Sequence, residues 1–119
     1  MHAVEPSMSE IIARDIADDI VSGALNAGGR IPSLRELSQR YDVSPSTATA
    51  GTKRLMQKGV LERHRGLGLF VTESARDTLR RERKDSFESE FLAPMLSEAQ
   101  RLGLSLEHVR QLISERSSQ

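Results

Sequence analysis

The 119-residue sequence predicts a mainly α protein with a small β-hairpin: a winged helix-turn-helix over residues 1–72, followed over residues 73–119 by a helical connector and a two-helix C-terminal dimerisation element. Three observations carry this expectation. Ser33 to Tyr41 and the segment from Ser44 onward read as two capped helices separated only by Asp42 and Val43, a turn so short that the helices must cross. Glu62 to Thr72 is a short run punctuated by Gly66 and Gly68, the pattern of a hairpin. Beyond Lys84 the chain turns apolar over two helical stretches that cannot bury one another.

Each element has its own local reason. Ser9 to Leu25 is amphipathic, because Ile12, Ile16 and Ile20, then Ala13, Ala17, Val21 and Ala24, recur at three-to-four spacing while Arg14, Asp15, Asp18 and Asp19 lie opposite. The helix should end near Gly23, since Asn26-Ala27-Gly28-Gly29 cannot sustain one, and Pro32 biases Ile31 toward extended geometry. Ser33 and Glu36 match the capping box, in which a hydroxyl and a carboxylate satisfy orphan backbone N–H groups reciprocally. Ser44 caps the third helix with Pro45 at its first position, where a missing N–H costs nothing. Along that helix Ala48, Thr52 and Leu55 share a packing face, while Ser46, Thr49, Ala50 and Lys53 share one that is free to read.

Gly59 stops the third helix, Val60 and Leu61 begin a strand, Arg63 to Gly68 form the turn, and Leu69 to Val71 return. Ser74 and Asp77 then open a long helix whose stretch from Arg80 to Asp85 is charged almost all round, a solvated connector. Pro94 is expected to bend its apolar second half. Gly103 ends it, and Ser105 caps a last helix carrying Leu106, Val109, Leu112 and Ile113.

Composition narrows the function. With 37% hydrophobic residues, 3% aromatics and no Trp, the core is modest and built from Ile, Leu, Val, Ala and Met. The absence of Cys excludes disulfides and thiolate metal sites, and suits a reducing, cytoplasmic setting. No apolar run approaches the roughly 20 residues of a membrane span, and the N-terminus has no basic-then-apolar leader pattern, so no membrane partner is expected. His2, His64 and His108 are too scattered to suggest zinc, and no metal or cofactor is expected. Nor is there a Gly-rich phosphate loop, a paired-carboxylate signature or a Ser/His constellation, so the sequence does not read as an enzyme.

The formal net charge of zero conceals a division along the chain. Residues 1–29 sum to −4 and residues 66–119 to −1, whereas residues 30–65 carry eight basic side chains against three acidic ones, a net +5. That positive segment coincides with the helix-turn-helix and the hairpin, which suits a polyanionic partner, double-stranded DNA. A helix beside a basic β-ribbon matches the width of a major groove and its flanking backbone.

Ile31-Pro32-Ser33-Leu34-Arg35-Glu36-Leu37-Ser38 resembles the GntR family of bacterial transcription regulators, whose signature is Pro-Ser-x-Arg-x-Leu. Val43-Ser44-Pro45-Ser46-Thr47 and Gly59 through Val71 continue the likeness in register. The 47 residues after Thr72 are too few for the larger effector domains of other subgroups. They are similar to the short YtrA-like subgroup in Phe91-Leu92-Ala93-Pro94 and Leu102-Gly103-Leu104-Ser105. The resemblance implies Arg35 at a phosphate or base edge, Ser33 and Thr47 at the DNA backbone, and Gly66 and Gly68 admitting the wing to the duplex. It also implies a transporter operon as target. The chain departs from the family where members often carry Arg or Gln at the position of Thr49, Arg at that of Ala50 and a bulky residue at that of Thr52. Readout should then lean on Ser46, Thr49 and a methyl contact from Ala50 to thymine.

The DNA-binding set is therefore Ser33, Arg35, Ser44, Ser46, Thr47, Thr49, Lys53, Arg63, Arg65, Gly66 and Gly68. Lys53 is preferred to Arg54 for its face, and Arg63 and Arg65 suit either a narrow minor groove or phosphates. Phe87, Phe91, Met95, Leu96, Leu106, Leu112 and Ile113 form the expected dimer interface, since a second copy supplies the surface they lack. A homodimer would match an inverted-repeat operator and act as a regulator, with repression favoured. Any small-molecule effector would have to bind at the helical pair or beneath the wing, and no residue pattern singles one out. The alternative is a winged-helix module that docks another protein without sequence-specific DNA binding.

Overall fold

The computed structural model describes residues 5–118; His2 lies outside them. Helix α1 (Met8–Ser22), α2 (Leu34–Tyr41) and α3 (Pro45–Gln57) are followed by strands β1 (Leu61–His64) and β2 (Gly68–Val71). Helix α4 (Ala75–Phe87), a π-helical segment (Glu88–Leu92), α5 (Ala93–Arg101) and α6 (Leu106–Ser117) complete the order. This is the winged helix-turn-helix read from the sequence, with helices beyond it.

One compact unit runs to Arg81 and a second begins at Glu82. In the first, Ile12, Ile16, Ala17 and Ile20 of α1 bury against Leu37, Ala48, Leu55, Val60, Leu61, Leu69 and Val71. Ala75 and Leu79 of α4 join this core, so the opening turns of that helix are packed rather than a free connector. Arg76 adds a polar clamp: its Nε donates to the Ile20 carbonyl at 3.0 Å and a terminal nitrogen to Asn26 Oδ1 at 2.6 Å. The first bond satisfies a carbonyl that the end of α1 leaves without a helical partner.

The termini follow the chemistry. Ser7 caps α1, which stops at Ser22 because Gly23 turns left-handed (φ 93°), three residues short of the expected Leu25. The full capping box forms at α2: Ser33 Oγ accepts from the Glu36 N–H at 3.1 Å, and the Ser33 N–H donates to Glu36 Oε1 at 3.3 Å. Asp42 closes α2 in the left-handed region (φ 52°), which a short polar side chain tolerates. Ser38 then braces the turn, its hydroxyl donating to the Val43 carbonyl while its own carbonyl accepts from the Val43 N–H.

The hairpin is longer in its strands and shorter in its turn than expected. Arg63 and His64 belong to β1, and the ladder runs from Leu61↔Val71 to His64↔Gly68, leaving only Arg65, Gly66 and Leu67 outside it. Residues 28–31 form a third, short edge. Gly28 donates to the Val71 carbonyl, Val71 to the Gly29 carbonyl, and Ile31 to the Leu69 carbonyl, at 2.8–3.0 Å.

In the second unit Pro94 is accommodated without a break. Having no N–H and a bulky ring, it cannot follow an ordinary turn, and the helix widens ahead of it so that the Ala93 N–H reaches back to the Glu88 carbonyl. After α5, Gly103 (φ 72°) makes a Schellman turn, with Leu104 donating to the Ala99 carbonyl and Gly103 to that of Gln100. Ser105 caps α6 by accepting from the His108 N–H at 3.0 Å. Among the described residues of this unit only Ala99 and Val109 are buried.

Candidate nucleic-acid interface

The α2–turn–α3 segment turns one face of α3 inward and leaves the other bare. Ala48, Gly51, Thr52 and Leu55 are buried, and Thr52 satisfies its hydroxyl by donating to the Thr49 carbonyl at 3.1 Å. Ser46, Thr49, Ala50 and Lys53 are exposed, and Thr47 is half-buried. Ser44 is committed as the cap: its Oγ accepts from the Thr47 N–H at 3.3 Å and lies 2.9 Å from Ser46 Oγ and 3.0 Å from Thr47 Oγ1. Thr49 Oγ1 donates back to the Pro45 carbonyl at 2.9 Å. With its proton so used, Thr49 offers outward a methyl group and oxygen lone pairs.

The cations divide into paired and unpaired. Arg54 lies 3.7 Å from Glu10 on α1, whereas Arg35, Lys53, Arg63 and Arg65 are exposed and form no salt bridge among the described residues. Unpaired arginines and lysines in so small an area repel one another, which leaves them poised for an anion. At the start of α2 the Ser33 N–H, then its hydroxyl, hold the Glu36 carboxyl below its ordinary value of 4.5. The carboxylate thus stays ionised in the cap.

On the wing, Arg63 pairs across the ladder with Leu69, and Arg65 stands in the turn. His64 has a structural engagement that spacing alone did not disclose: its ring stacks on Phe70 at 4.3 Å and its Nε2 lies 3.0 Å from Glu62 Oε1. Gly66 (φ 76°) and Gly68 (φ 116°) both occupy backbone geometry that side chains rarely adopt. Gly68 also lies under another side chain, since a Cβ there would stand 3.1 Å from Arg30 Nε. Arg30, exposed beside the wing, was not singled out by sequence reasoning, because the edge that places it forms by pairing some forty residues along the chain.

The apolar set behaves differently. Phe87, Phe91, Met95, Leu96, Leu106, Leu112 and Ile113 are all exposed, Phe91 by 62%, and the two phenylalanine rings meet at 5.7 Å.

A family model described as bacterial regulatory proteins, gntR family, matches residues 8–71. The chain belongs to the GntR family. It is 30% identical over 109 residues to the HTH-type transcriptional repressor YtrA of Bacillus subtilis, covering 92% of this chain and 83% of that protein. A crystal structure of a GntR-family regulator from Bacteroides thetaiotaomicron superposes with a TM-score of 0.70 at 28% identity, over 94% of this chain and 97% of that one. The DNA-binding domain of AraR in complex with an operator matches with a TM-score of 0.53 at 25% identity, over 60% of this chain and 93% of that domain. The GntR chain described here is thus a transcription regulator with a DNA-binding helix-turn-helix, and not an enzyme. DNA, rather than a docked protein, is the partner of this scaffold. No described helix is long and apolar enough to cross a membrane.

Proposed function

We propose that this GntR protein is a homodimeric repressor of an inverted-repeat operator, with α3 in the major groove and the β1–β2 wing against the adjoining backbone. The observation that carries the reading is the set of exposed, unpaired cations, Arg35, Lys53, Arg63 and Arg65, in the unit that also exposes Ser46, Thr49 and Ala50. Ser33, Ser44 and Thr47 sit at the caps of α2 and α3, where hydroxyl and N–H groups suit phosphate oxygens. Gly66 and Gly68 keep the wing slim enough to approach the duplex. The α3 face is thin in hydrogen-bond donors, so discrimination rests on Ser46, the Thr49 acceptor and the Ala50 methyl against thymine. Repression is supported by the name of the YtrA relative, and a transporter operon is the target class that the resemblance implies.

Dimerisation is supported by the second unit, where seven large apolar side chains stand exposed over two buried ones. A two-fold partner offers a self-complementary surface of the same chemistry. Immunoprecipitation footprinting should recover sites whose half-sites are centred about 10 bp apart or a multiple of it. On such a duplex, Arg35→Ala should weaken binding about tenfold or more in an anisotropy titration. An unchanged affinity would remove Arg35 and with it this docking mode.

A further inference from the structure

The third edge of the wing sheet carries a cation with a defined position. Arg30 lies opposite Phe70, which lies opposite Glu62, so these three share one face of the sheet. Its neighbour Ile31, 2% exposed, points the other way into the core. From there the Arg30 side chain runs across Gly68, with Nε, Cζ and Cδ at 3.1, 3.7 and 3.8 Å from where a Cβ would stand. Gly68 pairs with His64 in the last rung before the turn that bears Arg65. The guanidinium is exposed and forms no salt bridge among the described residues. Its nearest noted opposite charge is Glu36, whose carboxylate is engaged by the Ser33 N–H.

We propose that Arg30 is a further DNA-contacting residue, holding a backbone phosphate beside the wing turn. The stem lies in the trough that Gly68 leaves open, so less side-chain freedom is lost on contact than for a lysine on a bare surface. Glycine is needed at position 68 twice over, for its φ of 116° and for the space Arg30 occupies. The contact sets register and adds to affinity without reading a base.

This inference rests on the DNA-binding reading, and the test separates the two. Anisotropy titrations of a short random-sequence duplex over a salt series should be run with the full chain, with Arg30→Gln, with Arg30→Lys, and with Arg101→Gln as a control outside the wing. Loss of one phosphate contact lowers the slope of log affinity against log salt by about 0.9, and Arg30→Gln should show that drop with a several-fold loss of affinity at low salt. Arg30→Lys and Arg101→Gln should keep the wild-type slope. A wild-type slope in Arg30→Gln overturns the proposal. So does an equal loss in Arg30→Lys, which would make Arg30 a support for the wing rather than a contact. Wild-type protein with no salt-sensitive binding would instead overturn the parent reading.

Discussion

Gly51 is the point at which α1 and α3 approach most tightly by the measure of what a methyl group would meet. A Cβ at this position would stand 2.9 Å from the Ser9 carbonyl oxygen, 3.1 Å from Ile12 Cγ2 and 3.2 Å from Ile12 Cβ. Two effects of Gly51→Ala oppose each other. Replacing a mid-helix glycine by alanine favours the helix by about 1 kcal/mol. Overpacking a well-filled core costs about 1–3 kcal/mol, and here the closest atom is backbone, which cannot rotate away. The cost therefore belongs toward the upper end and the net effect is a loss of about 1–2 kcal/mol. For a domain of this size each kcal/mol lowers the melting temperature by roughly 4–8 °C. Urea unfolding should show the midpoint falling with little change of slope, and operator affinity should fall as well because α3 is displaced from α1. A Gly51→Ala protein as stable as wild type, or more so, would refute the reasoning.

Three further outcomes are expected. Tyr41 donates its phenol proton to Asp15 Oδ2 at 2.7 Å, and burial followed by that bond pushes its pKa from 10.0 up to about 12. Because the folded value is the higher one, the stabilisation is complete below pH 10 and is lost as pH rises toward 12. Tyr41→Phe should cost about 1 kcal/mol at neutral pH in urea unfolding and should lack that alkaline decline; an equal decline in both proteins would place its origin elsewhere. Glu36, with its carboxyl held low by the Ser33 cap, contributes above its ordinary value of 4.5 and ceases to contribute as pH falls through its lowered folded value. The midpoint gap between Glu36→Ala and wild type should accordingly close on acidification, and a gap independent of pH would deny the carboxylate its role. Ile113→Asp and Phe91→Asp place a charge among exposed apolar side chains, so sedimentation should shift from dimer to monomer while thermal unfolding of the winged unit persists; a dimer that survives both changes would put the interface on other residues.

The elements that could be read from sequence are those whose cause lies within one turn of helix. Ser33 with Glu36, Ser44 with Pro45 and Ser105 with His108 bond three residues apart or fewer, so composition and spacing reveal them directly. The same holds for the inward face of α3. The turn of the wing was read too long because Arg63 and His64, though polar, continue the strand: ladder hydrogen bonds depend on backbone pairing and not on side-chain polarity. Pro94 announced a departure from regular helix, but whether the chain would bend or widen depended on backbone geometry that no residue pattern specifies.

By itself the sequence determined the order of elements, their caps, the positive stretch from Arg30 to Arg65 and the apolar character of the last two helices, all properties of neighbours along the chain. Only the tertiary structure decided that residues 28–31 add an edge to the wing, that Arg30 crosses Gly68, that Tyr41 reaches Asp15 and that Arg76 clamps the end of α1. Each of these joins segments some 26 to 56 residues apart, and such meetings follow from how the whole core closes.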